Sequence, residues 1–287
     1  MEFAIQTVAN AWVATFLYAV LAVGLALIFG VMRTANFAHG EFFMVGAYVV
    51  WLLYSRSDWP FPVAVVAAMG IVTGIGMITE LGVFRTLRGN VVAGLIASLG
   101  LVFILQVTVG RIWGLGLAKP VAPFFPGSLE ILGANVGWQR FSIIPAGLTM
   151  LGILWLFLNR FKMGQALRAT AQDPEAAALM GISINRMALL AMGISAAFAG
   201  VAGALMSSVY PVEPYMGHAV ILMAFIIVIV GGTGSLIGAF VAAIMFGFIH
   251  TVVTTVFDST VAIIIACVTM AIILAVRPKG LLGREKV

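Results

Sequence analysis

Residues 8–31 read VANAWVATFLYAVLAVGLALIFGV, and this stretch contains no charged residue. As a helix rising 1.5 Å per residue it would measure about 36 Å, which exceeds the ~30 Å hydrocarbon core of a bilayer. Strands that cross a membrane alternate apolar and polar residues, and this stretch does not alternate. It therefore predicts a transmembrane helix. Similar apolar runs predict further spans near residues 38–54, 61–80, 91–109, 142–158, 187–209, 219–230, 236–256 and 260–276.

The composition agrees with this prediction along the whole chain. Hydrophobic residues make up 63% of the 287 residues and charged residues only 9%, with a mean hydropathy of +1.17. Soluble domains carry about 25% charged residues, so a soluble protein is excluded. We expect an all-α polytopic membrane protein with about eight to nine transmembrane helices, including broken or re-entrant segments. Residues 1–287 leave room for one transmembrane domain and short loops.

The basic residues predict the orientation of the chain, because Lys and Arg are enriched in cytoplasmic loops. Eleven of them fall on one side of the predicted spans and four on the other. The N-terminus is therefore expected outside and the C-terminus in the cytoplasm. This orientation also explains the net charge of +5 without a nucleic-acid partner. The larger group is Arg33, Arg85, Arg88, Arg160, Lys162, Arg168, Arg186, Arg277, Lys279, Arg284 and Lys286, and the smaller is Arg56, Arg111, Lys119 and Arg140.

Two polar or glycine-rich segments, 33–41 and 231–235, interrupt the apolar runs. Discontinuous helices of this kind mark substrate sites in many transporters, since irregular backbone at membrane depth lines a cavity or lies buried in protein. The alternative is that both segments are simple loops outside the membrane. We predict that a solute path passes near these segments, at Asn36, His39, Glu41, Gly231, Gly232, Thr233, Gly234 and Ser235.

The polar segment 160–186 contains a short helix with clear start and stop signals, Asp173-Pro174-Glu175-Ala176-Ala177-Ala178-Leu179-Met180-Gly181. Asp173 is a favourable N-cap, Pro174 suits the first helical position, and Glu175 complements the positive end of the helix dipole. Gly181 can adopt the left-handed conformation that ends a helix. A capped helix with a small apolar face, including Ala176 and Ala177, predicts a docking element for a soluble partner.

The chain lacks the motifs of an enzyme. There is no Gly-x-x-x-x-Gly-Lys-Ser/Thr loop for nucleotide phosphates and no nucleophile–base arrangement. One Cys and three His, far apart in sequence, do not form a metal-ligand pattern, so we expect neither a metal nor a cofactor in this chain. A passive channel for a small solute remains an alternative. An ion-coupled transporter is disfavoured because Glu41 and Glu80 are the only carboxylates near the predicted spans.

Three segments resemble the LivH-type permeases of branched-chain amino-acid ABC importers: GVMRTANFAHGE (30–41), RATAQDPEAAALMGI (168–182) and GGTGSLIGA (231–239). The Glu-Ala-Ala-x-x-x-Gly segment beginning at Glu175 is similar to the loop by which importer permeases engage their ATPase, although the Ile and Leu-Pro that follow in the longest form of that motif are missing here.

The resemblance implies uptake of branched-chain or hydrophobic amino acids across a bacterial inner membrane. It also implies a homologous second permease, two ABC ATPase subunits that bind the ATP, and a periplasmic solute-binding protein. Other members of the family move urea, amides and aromatic or aliphatic acids, so these substrates are alternatives. Asp173, Pro174, Glu175, Ala176, Ala177 and Gly181 would then couple the permease to the ATPase.

Overall fold

The computed structural model describes residues 2–114, 118–131 and 134–283. Helices dominate these ranges, and two π-helical segments, Trp51–Arg56 and Glu80–Phe84, extend α2 and α3. The helices are α1 (Glu2–Met32), α2 (His39–Val50), α3 (Phe61–Thr79), α4 (Val91–Trp113), α5 (Trp138–Phe141), α6 (Ile143–Arg160), α7 (Lys162–Gln172), α8 (Pro174–Leu179), α9 (Ile184–Met206), α10 (Met216–Gly231), α11 (Leu236–Val256) and α12 (Ser259–Val276).

Seven of the nine predicted membrane spans are confirmed. Seven helical segments of the described ranges are long and apolar enough to cross a bilayer. The two remaining predicted spans correspond to α2 with its π-helical extension and to α10, a shorter apolar helix of 16 residues. The chain is an all-α polytopic membrane protein. The first helix begins at Glu2, earlier than the predicted residue 8.

Two elements outside the spans were not predicted. Residues Ser128–Ile131 (β1) and Ala134–Gly137 (β2) form an antiparallel hairpin in which Glu130 pairs with Asn135. The second element is α7, which lies in the predicted polar loop 160–186. Because α6 joins the two regions, they lie at opposite ends of the bundle, which we call the hairpin end and the α8 end.

The core of the bundle is formed by α1 and α9, which are mostly buried, whereas α4, α6 and α12 are mostly exposed. The exposed side chains of the outer helices are large and apolar, for example Phe103, Trp155 and Ile272. Such surfaces suit lipid or another membrane subunit. The centre of the bundle is therefore shielded from lipid on several sides.

Close contact between α2 and α9 depends on glycine. A Cβ atom at Gly46 would collide with the backbone of Gly200, and one at Gly203 would collide with the carbonyl group of Phe43. Small residues at helix interfaces let backbones approach closely in a membrane. The two helices consequently pack as one unit in the middle of the protein.

Helix α2 begins in the middle of the bundle. Its first residue, His39, places Nε2 3.1 Å from the carbonyl oxygen of Leu21. Leu21 lies eleven residues before the end of α1 at Met32, which corresponds to about 16 Å along the helix. The segment 33–38 thus carries the chain from the α8 end back to mid-bundle depth, as the predicted break at 33–41 required.

Helix α10 also begins in the middle of the bundle. A Cβ atom at Gly40 would lie 2.7 Å from the carbonyl oxygen of Gly217 and equally close to Ile221, so the N-termini of α2 and α10 meet. The chain returns to this depth through residues 207–215, which the sequence placed in a span and an ordinary loop. The irregular segment that reaches the middle of the bundle next to α10 is therefore 207–215, which precedes this helix. The predicted segment, 231–235, follows α10 and does not lie at that depth.

Candidate functional site

The helix α8 has the local geometry that its sequence predicts. One carboxylate oxygen of Asp173 accepts hydrogen bonds from the backbone N–H groups of Glu175 (2.9 Å) and Ala176 (3.1 Å). Pro174 occupies the first helical position, where a missing N–H costs nothing. Gly181 ends the helix with φ of +81°, a value that a side chain would strain. The helix is thus fixed at both ends.

The exposed face of α8 is apolar. Leu179 and Met180 are 89% and 83% exposed, whereas Ala177 is buried against the protein and anchors the helix. Glu175 and Ala176 are exposed beside them. Large apolar side chains held in water by a rigid, capped turn suit insertion into a groove of another protein.

Helix α7, which precedes α8, is packed firmly against the bundle. In α7, Leu167 and Thr170 are fully buried, and Gly164 packs so closely on the end of α6 that a Cβ atom would collide with the carbonyl oxygen of Phe157. At the other end of α7, a Cβ atom on Gly30 of α1 would touch Ala171. A force applied to α8 would therefore reach the end of α1.

A partly exposed ion cluster around one buried carboxylate joins the α3–α4 connection to α9 at the same end. The carboxylate of Glu80 is fully buried and accepts from Arg85 (3.3 Å) and Arg88 (2.5 Å). Arg88 also donates to the side-chain oxygen of Asn185 in the first turn of α9. Because both carboxylate oxygens of Glu80 are paired with arginines, this residue has a structural role and is not available to bind a transported ion.

Asn36 and His39 are buried and hydrogen-bonded at the start of α2. The side-chain oxygen of Asn36 accepts from the backbone N–H of Ala38 (3.0 Å), and its amide nitrogen lies 3.7 Å from the sulfur of Met192. His39 is held between Leu21 of α1 and the hydroxyl of Ser195, which lies 3.3 Å from Nδ1. Both side chains thus connect the re-entrant segment to α9.

Glu41 belongs to a polar centre where α2, α4 and α10 meet. The amide nitrogen of Gln106 donates to Oε1 of Glu41 at 2.8 Å and lies 3.0 Å from Nε2 of His218. The second carboxylate oxygen of Glu41 is buried without a hydrogen-bond partner. Sequence reasoning missed Gln106 and His218, since an isolated polar residue in an apolar run does not indicate its partners.

The glycine segment 231–235 lies away from this polar centre. Gly234 packs against Gly30 near the end of α1, about 13 Å along the helix from Leu21. Gly232 and Gly234 have positive φ, and the hydroxyl of Ser235 caps α11 by accepting from the N–H of Gly238 (3.1 Å). The structure therefore brings Asn36, His39 and Glu41 together but places Gly231, Gly232, Thr233, Gly234 and Ser235 in a tight turn at the α8 end.

The C-terminal segment covers this turn. The N–H groups of Leu281 and Leu282 donate to the carbonyl oxygens of Val230 (2.7 Å) and Gly231 (3.3 Å). The turn is thus held by α1 on one side and by the C-terminal segment on the other.

A family model described as the permease component of the branched-chain amino acid transport system matches residues 7–276. The chain belongs to this family. Its re-entrant helices and its capped surface helix are therefore features of a transport permease.

Individual relatives agree with the family match. The permease is 30% identical to the high-affinity branched-chain amino acid permease protein LivH of Escherichia coli, over 94% of this chain and 92% of the relative. It is 28% identical to BraD of Pseudomonas aeruginosa over 99% and 97%. A second permease of the Escherichia coli system, LivM, is 29% identical over 80% of this chain and 60% of LivM.

A solved structure supports the fold. The structure of PsaBC from Streptococcus pneumoniae in complex with Fab matches with a TM-score of 0.56, covering 97% of this permease and 96% of that chain at 15% identity. Since LivH and LivM are named for one system, that system contains two related permeases, and this permease is similar to both.

Proposed function

We propose that this permease is a transmembrane subunit of an ATP-driven ABC importer that takes up branched-chain or other hydrophobic amino acids across a bacterial inner membrane. The names and extent of similarity of LivH and BraD support this substrate class. Two separate ABC ATPase subunits would bind ATP, and a periplasmic solute-binding protein would deliver the solute. A homologous second permease would complete the pore, with this chain's N-terminus outside and its C-terminus in the cytoplasm.

The capped helix α8 is the observation that carries this proposal. Its rigid ends and its exposed Leu179 and Met180 have the form expected of a helix that docks into a groove. Asp173, Pro174, Glu175, Ala176, Ala177 and Gly181 shape this docking element, and closure of the ATPase dimer would displace it.

The displacement would reach the middle of the membrane along α9. This helix begins five residues after α8 ends, and its Met192 and Ser195 contact Asn36 and His39 of the re-entrant segment. A shift of α9 would therefore move the start of α2 and bias the permease between outward and inward openings. The solute would pass near this region.

A substitution at Leu179 tests the docking role. We expect Leu179→Asp to weaken binding of the ATPase about thirtyfold, corresponding to about 2 kcal/mol, since it places a charge in an apolar groove. The assembled complex in proteoliposomes should lose ATP-dependent uptake of radiolabelled L-leucine. Leu179→Met is the matched control, because it keeps an apolar side chain of similar size, and should retain binding and uptake.

Each result has a defined meaning for the proposal. ATP-dependent uptake of urea, an amide or an aromatic acid in place of leucine would support the importer proposal and refute the proposed substrate class. Equal ATPase binding by Leu179→Asp and Leu179→Met would refute the docking role of α8. Flux of solute that is indifferent to ATP would refute the importer and favour a passive channel.

A further inference from the structure

Two cavities lie next to each other at the hairpin end. The outer chamber has a volume of about 290 Å³ and is lined by residues that include Phe125, Gln139 and Ser208. The inner chamber, about 210 Å³, lies between α1 and α11 and is lined by residues that include Tyr18 and His250. Arg140 lines both chambers and therefore stands at their junction. Chambers of this size suit a solute of few heavy atoms.

The outer chamber contains polar groups that have no hydrogen-bond partner among the residues that the structure describes. Gln139 is only 4% exposed, and its oxygen accepts from the backbone N–H groups of Phe124 (3.1 Å) and Phe125 (3.2 Å). These two donors fix the orientation of the amide, so its nitrogen is a donor, and that nitrogen has no partner. The buried hydroxyl oxygen of Ser208 has none either. Buried donors are nearly always hydrogen-bonded, so these two groups favour a bound molecule that carries an acceptor.

Arg140 supplies a positive charge without a carboxylate. Its guanidinium group lies 5.8 Å from the centre of the Tyr210 ring and 3.4 Å from the side-chain oxygen of Asn10. Both salt bridges found among the described residues belong to Glu80, so Arg140 has no acidic partner there. A guanidinium group binds a carboxylate through two parallel hydrogen bonds, and this is the ligand that would complement the site.

The inner chamber combines polar groups with aliphatic walls. The hydroxyl of Tyr18 lies 3.4 Å from Nδ1 of His250. Val13, Leu17 and Met206 line the same space. Polar side chains within membrane helices are costly and commonly mark a solute pathway. The chamber would accept an aliphatic side chain against one wall and an ammonium group or water near the other.

We infer that the two chambers form a binding site for an amino acid on its way into the membrane. Arg140, Gln139 and Ser208 bind the α-carboxylate, and the aliphatic side chain packs against Val13 and Leu17. This inference rests on the proposed function and adds to it the residues that select a carboxylate. Urea, which has no carboxylate, would bind poorly at this site.

A cysteine placed in the outer chamber tests the inference in the assembled complex. Val209→Cys, in a Cys267→Ser background, is labelled with a small membrane-impermeant thiol reagent, because Val209 lines both chambers and is not one of the groups assigned to the carboxylate. L-leucine should slow the labelling, whereas L-leucinamide, which lacks the carboxylate, should not. Arg140→Gln should raise the L-leucine concentration needed for protection by about 10- to 100-fold, the effect of losing a hydrogen bond to a charged group. Arg140→Lys should recover part of the protection.

Two controls separate this inference from the proposed function. Ser128→Cys, which is exposed on the hairpin outside the chambers, should be labelled at the same rate with and without L-leucine. ATP-dependent uptake is measured in parallel in the Cys267→Ser complex. Intact uptake with no protection of Val209→Cys, or equal protection by both compounds, would refute the binding site and leave the importer proposal standing. Protection by L-leucine without ATP-dependent uptake would refute the importer proposal and support the binding site.

Discussion

The environment of Glu41 depends on one neighbour, Gln106. Within the part of the chain that the structure describes, its buried carboxylate accepts one side-chain hydrogen bond, from Gln106, and its other oxygen has no partner. We expect Gln106→Leu to lower the free energy of unfolding by about 1–3 kcal/mol, since a buried polar group that loses its partner retains its desolvation cost. Denaturant unfolding of the purified permease in mixed micelles measures this change.

The double variant Glu41→Leu/Gln106→Leu is the control for this prediction. Removing both groups leaves no buried carboxylate unpaired, so the double variant should be less destabilised than the sum of the two single variants. Simple additivity would show that the 2.8 Å contact contributes no coupling between the two side chains.

Residues with local partners could be predicted from the sequence, and residues with distant partners could not. Asp173 caps the backbone two and three residues further on, and Gly181 ends the same helix, so the sequence of nine residues contains the whole arrangement. Glu41 and Gln106 are separated by 65 residues, and Gln106 and His218 by 112. Only the packing of α2, α4 and α10 brings these three side chains together.

At the scale of helices, the contact between α2 and α9 predicts a sharp difference between glycines. Gly203→Ala should destabilise the permease strongly, because the new methyl group would collide with the carbonyl oxygen of Phe43 in a backbone contact that cannot move alone. Gly74→Ala is the matched control, since among the described residues no atom outside the local backbone of α3 lies within 4 Å of its Cβ position. Alanine there should be neutral or stabilising by up to about 1 kcal/mol.

Thermal unfolding of both purified variants distinguishes these outcomes. A melting temperature for Gly203→Ala equal to that of Gly74→Ala would mean that α2 and α9 separate without cost. In that case the two helices would not move as a unit.

The limits of sequence-based prediction are also visible among the elements. Strands of four residues are too short to show the alternation of apolar and polar residues that predicts a strand, so β1 and β2 could not be predicted from the sequence. Helix α7 contains two charged residues and Gly164, and its stability comes from burial of Leu167 and Thr170. Residues 207–215 resemble an ordinary loop, and their return to mid-bundle depth depends on the contact between Gly40 and Gly217.

At the scale of the whole molecule, α9 is a single rod that joins the α8 end to the middle of the bundle. It starts at Ile184, reaches Ser195 after about 16 Å and continues to Gly203 beside α2. The short connection from α8 is tightened by a hydrogen bond from the N–H of Ile182 to the carbonyl oxygen of Ala177 (3.0 Å). A displacement of α8 would therefore be transmitted along the rigid helix α9 to His39.

This route predicts that a flexible joint between α8 and α9 uncouples transport from ATP hydrolysis. With two glycines inserted between Ile182 and Ser183, the ATPase subunits should still bind α8 and hydrolyse ATP, but the displacement would be absorbed by the insertion. We expect the amount of L-leucine taken up per ATP hydrolysed in proteoliposomes to fall at least about tenfold, since a shift of about 1.4 kcal/mol in the two-state equilibrium changes populations by that factor. The same insertion between Phe257 and Asp258, at the hairpin end, should leave the ratio unchanged. An unchanged ratio for the first insertion would mean that the motion of α8 passes through α7, which contacts both α1 and α9, and not through the connection between α8 and α9.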